Sequence, residues 1–352
     1  MKVGLLTSGG DCQGLNAALR GIAKTLYGAV PDLVLYGIQD GYKGLIEGIW
    51  RKMELHEFSG ILREGGTILG TSRQPFKRMW DTNDDRQDKI TIMTNNYKKE
   101  RFDALVILGG NGTHKTAYAL SKNGVNVVTL PKTIDNDLYG TDLTFGFDSA
   151  VAKATEILDA IHTTAASHGR VFVIELMGNK AGWVTLYAGM SGGADVILLP
   201  EIPYGIDSVL RVIEERNKSG KNFSIIAIAE GAISKEEAAL PKKERNADNT
   251  TSGAKLVDEL SARLDQDVRF VLPGHIQRGG DPTPTDRFFC SRLGAAAAEL
   301  LLQEKYGYMV ALSGTSIVPF PLEKVAGKLK TIPPDLEILR QARLLGISFG
   351  DD

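Results

Sequence analysis

The feature that most constrains the fold is an alternation of short apolar runs with longer amphipathic segments. The runs predict β-strands at 3–7, 33–38, 104–109, 125–130, 171–176, 195–199, 224–229 and 268–272. The amphipathic segments predict helices at 15–26, 113–122, 149–166, 206–217, 253–264 and 286–304. Strands that alternate with helices form mostly parallel sheets covered on both faces. These strands are too many for one short sheet, and 352 residues suffice for about two domains, so we expect an α/β protein of two doubly wound, Rossmann-like lobes.

Composition and charge argue against several classes of partner. The 41 basic and 43 acidic residues leave a formal net charge of −2, which gives no reason to expect nucleic acid or an anionic membrane surface. No apolar run approaches the ~20 residues of a membrane span, and the residues before the first strand lead us to expect no secretory signal. The two cysteines lie far apart without metal-ligand spacing, which favours a reducing, cytoplasmic setting. The polar segment 231–253 predicts a surface insertion with a short helix.

Glycine-rich stretches follow two of the predicted strands, at the strand ends where open α/β sheets bind their ligands. "TSGGDCQGLN" (7–16) and "GGNGTHK" (109–115) each place glycines between a strand and a helix. Glycine lets backbone amides approach phosphate oxygens, and a helix N-terminus favours negative charge. Either stretch alone could equally be a tight turn, but two in one chain favour a nucleotide or polyphosphate site. Asn111 could bind a metal ion through its carbonyl oxygen.

The stretch "KTIDND" (132–137) follows another predicted strand and carries two aspartates. One of Asp135 and Asp137 can accept a hydroxyl proton, as a catalytic aspartate does in phosphoryl transfer. The other can orient the hydroxyl or reach a metal ion through water. The alternative is an Asx-turn that caps the next segment, since aspartate and asparagine are common turn residues.

Several other charged and polar residues lie near predicted strand ends. Any one arginine is more often a solvated surface group than a ligand, but a cluster could hold a phosphorylated substrate through bidentate contacts. Glu230 could accept hydrogen bonds from sugar hydroxyls or cap a turn, and Tyr42 could stack on a base or simply pack. The cations and the histidine of this group are Arg73, Lys132, Arg170, Arg269, His275 and Arg278.

Taken together, these stretches resemble the 6-phosphofructokinase family. The matching pieces include "LTSGGDCQGLNAALRG", "GGTILGTSR", "GGNGT", "PKTIDND", "SHGRVFVIELMG", "IAIAEGA" and "GHIQRGGDPTPTDR". They run in the family's order and cover most of residues 1–290. "TIDND" together with "GHIQRGG" is hard to obtain by chance, so the resemblance is specific.

The resemblance implies a phosphofructokinase-type fold with the active site in the cleft between the lobes. It implies a phosphate-donor lobe of residues 1–146 plus 277–327 and a sugar-phosphate lobe of residues 147–276 plus 328–352. The implied reaction is glycolytic: Mg²⁺-dependent transfer of a phosphoryl group from ATP to the 1-hydroxyl of fructose 6-phosphate. The implied setting is a cytoplasmic homotetramer or homodimer whose active sites are shared across subunits, with no nucleic acid and no membrane as partner.

The resemblance also implies a role for each matching residue. Asp135 would be the general base, Asp137 would hold the acceptor, and Thr133 would position the transferred group. Lys132 would belong to the same catalytic group, and Asn111 would stand at the metal position. The sugar phosphate would be held by Met177, Gly178, Glu230, His275 and Arg278, with Arg170 and Arg269 reaching in from a neighbouring subunit. The donor's site would be lined by Gly10, Tyr42, Arg73, Gly112 and Thr113.

The chain departs from the family's pattern at three informative positions. Asn111 replaces an aspartate that helps bind Mg²⁺, which bears on how the metal would be held. Asn179 replaces an arginine, although Lys180 could restore the charge, and sedoheptulose 7-phosphate becomes a conceivable acceptor. Gln13 replaces a usual proline, and we expect little consequence from that change.

The identity of the donor depends on Gly112 and Lys132. Pyrophosphate-using members carry an aspartate at the position of Gly112, where it would crowd and repel the α-phosphate of ATP. They also carry a lysine at the position of Lys132. The combination of glycine and lysine resembles a group that includes ATP users, so ATP is favoured and pyrophosphate is the alternative. A rival of another class is a non-catalytic nucleotide or sugar-phosphate sensor, against which the retained Asp135 and Asp137 argue.

Overall fold

The computed structural model describes residues 1–83, 86–241, 244–245 and 250–351. Within these ranges the strands are β1 (Lys2–Thr7), β2 (Val34–Ile38), β3 (Trp50–Met53), β4 (Ala104–Gly109), β5 (Val127–Pro131), β6 (Val171–Leu176), β7 (Val196–Leu198), β8 (Ser224–Ala229), β9 (Val268–Val271), β10 (Tyr308–Ser313) and β11 (Ser316–Pro321). The helices are α1 (Leu15–Ala29), α2 (Tyr42–Glu47), α3 (Lys89–Glu100), α4 (Asn111–Lys122), α5 (Phe147–His168), α6 (Trp183–Ser191), α7 (Ile206–Lys218), α8 (Lys235–Ala239), α9 (Ser252–Ser261), α10 (Pro284–Leu302), α11 (Leu322–Val325) and α12 (Glu337–Leu344).

The first of two compact units comprises Met1–Ser149 and Arg278–Leu329. Its seven-stranded sheet has the order β11-β10-β5-β4-β1-β2-β3. The five inner strands are parallel, whereas β3 and β11 pair antiparallel with β2 and β10 at the two edges. All six residues of β4, "ALVILG", are buried, as expected for a parallel strand covered on both faces.

The core of the first unit forms where one face of this sheet meets α2, α3 and α4. Leu6 and Ile107 project from the strands and cluster with Met93 of α3 and Leu120 of α4. Helices α1 and α10 pack against each other, and a Cβ at Gly294 would lie only 2.5 Å from the Ala18 carbonyl oxygen. Glycine at this position therefore allows the two helices to approach closely.

The second unit comprises Ala150–Gln277 and Lys330–Asp352. Its four-stranded sheet has the order β7-β8-β6-β9, and every pair in it is parallel. Strands β6 and β8 are buried along their whole length, and residues of α7 and α9 cover one face. Among the described helices of the chain, none is both long and apolar enough to cross a membrane.

All eight predicted strands and all six predicted helices are present, and the α/β, mostly parallel architecture is confirmed. Within the described residues, the sequence did not indicate the edge strands β3 and β11, the inner strand β10 or five further helices, which are α2, α3, α6, α11 and α12. The predicted insertion at 231–253 contains α8, whose N-terminus is a capping box of Ser234 and Glu237. Residues 242–243 and 246–249 of that insertion lie outside the described residues.

Candidate active site

Three neighbouring strands of the first unit end at the same edge of the sheet. β4 pairs in parallel with both β1 and β5, so their carboxyl ends lie side by side. The loops that follow them line a cavity of ≈ 350 Å³. The residues that line it are Ser8, Gly9, Gly10, Arg73, Gln74, Pro75, Phe76, Gly110, Asn111, Gly112, Thr113, Lys132, Thr133, Asp135, Asp137 and Arg278.

The "TIDND" turn directs both of its aspartates toward this cavity. Asn136 lies between them with a φ of 49°, in the left-handed region that asparagine tolerates better than most residues. Its buried Oδ1 accepts a hydrogen bond from the Thr144 N–H at 3.0 Å. Asn136 thus ties this turn to Thr144, eight residues further along the chain, while Asp135 and Asp137 line the cavity.

Asp135 is half-buried, and its environment acts on its pKa in two directions. Burial raises the pKa above the usual value for an aspartate, and the positive charges of Arg278 and Lys132 lower it. The backbone N–H of Asp135 donates to Thr133 Oγ1 at 3.1 Å, which fixes the start of the turn. Such a carboxylate, partly withdrawn from water and held beside cations, is suited to accept a proton.

Lys132 is a buried cation beneath the glycine-rich loop. Its side chain is 3% exposed, and Nζ donates a hydrogen bond to the Gly10 carbonyl oxygen. Burial lowers the pKa of this ammonium group, because desolvation disfavours its charged form. A buried cation bound to a neutral carbonyl strongly favours an anion nearby.

Two guanidinium groups lie against the same glycine. A Cβ at Gly10 would lie 3.0 Å from Arg278 Nη1 and 3.6 Å from Arg73 Nη2. Arg278 Nη1 donates to the Asp11 carbonyl oxygen at 2.9 Å, and its buried Nε has no hydrogen-bond partner within the described residues. Arg73, Lys132 and Arg278 thus bring three cations around one loop, which makes this end of the cavity suited to phosphate groups.

The first turn of α4 supplies another part of the wall. Gly112 and Thr113 line the cavity, and a Cβ at Gly112 would meet no atom within 4 Å. Tyr42 does not line the cavity: it is 1% exposed, and its hydroxyl donates to the Thr113 carbonyl oxygen at 2.8 Å. The structure thus places Tyr42 behind the wall, where it supports Thr113.

Asn111, at the candidate metal position, bonds to a distant segment of the chain. Its Nδ2 donates to the Lys328 carbonyl oxygen at 2.6 Å. Because a carbonyl can only accept, this bond fixes the orientation of the carboxamide and leaves Oδ1 available as an oxygen ligand. No group of three or more His, Cys, Asp or Glu side chains in the described ranges has the geometry of a metal site. Mg²⁺ sites in proteins commonly combine one or two protein oxygens with phosphate oxygens and water.

The remaining predicted residues lie in the second unit, at two different ends of its sheet. Met177, Gly178 and Glu230 follow the carboxyl ends of β6 and β8, and His275 lies in the short 3₁₀ segment after β9. Gly178 has a φ of 143°, a backbone conformation that favours glycine. The Met177 N–H donates to Gln277 Oε1 at 3.1 Å, which ties this loop to the segment that carries His275.

Arg170 and Arg269 lie near the amino ends of β6 and β9 instead. Both bind Asp267, at 2.9 Å and 2.7 Å respectively. Arg170 precedes β6 and Met177 follows it, and a strand rises about 3.3 Å per residue, so about 20 Å separates their backbones. Within one chain, the structure does not bring these two arginines together with the other sugar-phosphate candidates of the second unit.

Several residues in or near the cavity wall were not predicted. Phe76, Gln74 and Pro75 line it, although only Arg73 of that segment was singled out; the one sequence signal was their adjacency to Arg73. His114 is fully buried, its Nδ1 bonds the Gly110 carbonyl oxygen at 2.9 Å, and burial lowers its pKa to about 4.

Cys12 lies in the loop that follows β1, directly after Asp11. It is fully buried, and burial raises the pKa of its thiol to about 12. Thiolate chemistry is therefore disfavoured at this position. Cys290 of α10 is also fully buried, and burial raises its pKa well above the usual value.

The sequence and fold of this chain are similar to those of known proteins. A family model described as phosphofructokinase matches residues 2–301. The ATP-dependent 6-phosphofructokinase of Spirochaeta thermophila is 50% identical, over 99% of this chain and 97% of that protein. The ATP-dependent 6-phosphofructokinase 3 of Bacteroides thetaiotaomicron is 45% identical, over 99% of this chain and 100% of that protein. A crystal structure of Pichia pastoris phosphofructokinase in the T-state is 30% identical and matches with a TM-score of 0.80, covering 92% of this chain and 35% of that one.

Proposed function

This chain belongs to the phosphofructokinase family, and we propose that it is an ATP-dependent 6-phosphofructokinase. It transfers the γ-phosphoryl group of ATP to the 1-hydroxyl of fructose 6-phosphate, a reaction of glycolysis. The donor and the acceptor are supported by two relatives of that name, 50% and 45% identical over 99% of this chain. The structural observation that carries the proposal is that half-buried Asp135 shares one cavity with Lys132, Arg278 and two glycine-rich loops.

Asp135 accepts the proton in the proposed reaction. The oxygen of the sugar 1-hydroxyl forms a bond to the γ-phosphorus while the bond from that phosphorus to the β–γ bridging oxygen breaks, and the hydroxyl proton passes to Asp135. The burial that raises the pKa of Asp135 also makes its carboxylate a stronger base for this proton. Asp137, on the other side of the Asn136 turn, holds the acceptor, and Thr133 positions the transferred group.

The cations and backbone amides bind the phosphate chain and spread the charge that develops during transfer. Phosphoryl transfer depends mainly on positioning and electrostatic stabilisation. Lys132, Arg278 and Arg73 surround Gly10. Because of this position, Arg278, which the resemblance assigns to the sugar phosphate, is proposed instead to contact the transferred phosphoryl group. Gly112 and Thr113, in the first turn of α4, line the same cavity, and N–H groups of a first helical turn have no carbonyl partner within the helix.

A magnesium ion is compatible with the residues present. Asn111 and Asp137 line the same cavity, and carboxamide and carboxylate oxygens are both hard ligands. When bound, Mg²⁺ would neutralise charge on the phosphate oxygens. Because Asn111 contributes no negative charge, more of the binding free energy must come from the phosphates than in a site with an aspartate there.

The geometry at Gly112 favours ATP over pyrophosphate. The space beside Gly112 is open, so a nucleoside diphosphate leaving group meets no side chain there. The pyrophosphate alternative rests on Lys132, whose buried ammonium could take over contacts to the donor that an ATP site otherwise supplies. These two positions therefore favour different donors, and a donor comparison separates the alternatives.

The sugar phosphate is proposed to bind at the carboxyl ends of the second unit's strands, through Met177, Gly178, Glu230 and His275. Arg170 and Arg269 lie at the other end of that sheet, so they can serve the site only from a neighbouring subunit. An assembly of four or two copies with shared sites is thus part of the proposal, as is a cytoplasmic location. The first unit would be the phosphate-donor lobe and the second the sugar-phosphate lobe.

A kinetic comparison of donors tests the proposed function. The purified protein is supplied with fructose 6-phosphate and Mg²⁺, and fructose 1,6-bisphosphate is measured with ATP or with pyrophosphate as donor. We expect kcat/KM to be higher with ATP. A higher kcat/KM with pyrophosphate would show that pyrophosphate is the preferred donor. Ligand binding without turnover for either donor would instead favour the sensor.

A further inference from the structure

Gln13 connects two loops that are far apart in sequence. It lies between β1 and α1, and its side chain is 0% exposed. Its Nε2 donates to the carbonyl oxygen of Gly279 at 2.7 Å. Gly279 directly follows Arg278, so Gln13 bonds to the backbone next to a residue that lines the cavity.

A second bond runs between the same two loops. Arg278 Nη1 donates to the Asp11 carbonyl oxygen at 2.9 Å. The two bonds run in opposite directions: one side chain of each loop donates to a backbone carbonyl of the other. Such a reciprocal pair fixes both the distance and the orientation of the loops, which a single bond would leave free to pivot.

The backbone closes the other side of the Arg278 loop. The carbonyl oxygen of Gly280 lies so close to Gly65 that a Cβ there would collide with it. The loop therefore cannot move toward Gly65, and Gln13 prevents it from moving away. Arg278 Nε is buried without a partner in the described chain, so Nε contributes no bond that holds this guanidinium in place.

From these contacts we propose that Gln13 is a positioning residue that holds Arg278 at the reacting phosphoryl group. The role requires a side-chain N–H donor at position 13, which the proline usual in the family lacks. This proposal differs from the expectation of little consequence stated for this replacement, and the experiment below decides between the two. The inference rests on the proposed function, because it assigns to Arg278 a part in phosphoryl transfer.

A double-mutant cycle tests the role of Gln13. Gln13→Met keeps the length of the side chain and removes the donor, and Arg278→Ala removes the group that Gln13 is proposed to position. The kcat/KM for fructose 6-phosphate is measured with saturating ATP and Mg²⁺ for the native protein, both single variants and the double variant. Gln266→Met is the matched control, because Gln266 Nε2 also donates to backbone carbonyl oxygens, those of Gly169 and Asn222, in the second unit.

We expect Gln13→Met to lower kcat/KM about tenfold in the native background, as for loss of one hydrogen bond that orients a charged group. In the Arg278→Ala background the same change should lower kcat/KM by less than about twofold, because a residue that acts through Arg278 has nothing left to position. The control change, Gln266→Met, should leave kcat/KM unchanged in both backgrounds. A tenfold loss in both backgrounds, or none in the native one, would overturn the inference.

Two further comparisons keep the test decisive. If Gln13→Met does not fold, as judged by circular dichroism, the cycle is run with Gln13→Asn, which withdraws the carboxamide by one methylene. Gln13→Glu has the shape of glutamine, and its ionised carboxylate can only accept, so at a pH that keeps it ionised it should behave like the methionine variant. Failure of the native protein to use either donor would refute the proposed function, a result distinct from additivity in the cycle.

Discussion

Replacing Gly112 by aspartate should discriminate between the two candidate donors. Gly112 is exposed in the first turn of α4, and a Cβ there would meet no atom within 4 Å. The new side chain has room, so the fold should be retained. Its carboxylate would face the phosphate chain of a bound nucleotide, because Gly112 and Thr113 line the cavity together with Lys132 and Arg278.

The size of the effect follows from Coulomb's law. Two like charges about 5 Å apart at an effective dielectric constant of about 20 repel by about 3 kcal/mol. This repulsion corresponds to a loss of about 100-fold in kcat/KM. Solvent at this exposed position screens part of it, so we expect a loss of about 10- to 100-fold with ATP. Pyrophosphate has no counterpart of the α-phosphate of ATP, so kcat/KM with pyrophosphate should fall only about threefold.

The assay measures kcat/KM for both donors at saturating fructose 6-phosphate and Mg²⁺. Where turnover with pyrophosphate is too slow, its inhibition constant against ATP replaces the rate. Gly112→Asn is the control of equal size without charge, and Gly112→Ala shows the effect of the Cβ alone. Equal losses for both donors, or equal losses for Asn and Asp, would refute the electrostatic reasoning.

Three further changes test other parts of the site. Asp135→Asn should lower kcat by about 10²–10⁴ with little change in KM, as for loss of a general base, and near-normal turnover would contradict the assignment. Asn111→Asp removes the N–H donated to Lys328 and adds a charged oxygen, so the half-saturating Mg²⁺ concentration should fall by about 3- to 10-fold; an unchanged requirement in a Mg²⁺ titration would exclude a ligand role. Burial lowers the pKa of His114 to about 4, so the unfolded chain takes up this proton first and stability is lost as pH falls from about 6.5 toward 4, by about 3 kcal/mol at the lower end. In urea unfolding, the free energy of unfolding of the native protein should therefore fall relative to that of His114→Gln as pH falls. Protonation of Asp286, whose pKa burial raises to about 6, stabilises both proteins over that range and does not affect the comparison. A difference between the two proteins that does not change with pH would contradict the role of His114.

The central strands could be predicted because burial on both faces requires a nearly unbroken apolar run. Strand β4 is such a run, and so is β6. The edge strand β11 has no such requirement: its sequence "SIVPFP" is half-exposed and includes two prolines, which edge strands tolerate. Helix α3, "KITIMTNNYKKE", combines β-branched residues and asparagines of low helix propensity, so tertiary packing decides its structure.

The loops of the site could be predicted, whereas the bonds that hold them could not. Glycines and aspartates at strand ends have a local signature, and Gly112 and Asp135 both line the cavity. Gln13 and Asn111 depend on partners 266 and 217 residues away in sequence, and nothing near either residue indicates those partners. Tyr42 could be recognised but not placed, because only the fold shows that it is buried behind Thr113.

The burial of Cys12 and Cys290 makes the chain a convenient host for covalent labels. Both thiols are 0% exposed, and they are the two cysteines of the whole sequence. A maleimide dye would therefore react with a cysteine newly introduced at the surface and leave the folded interior untouched. Paired dyes could follow loop motions in native enzyme without first removing either natural thiol.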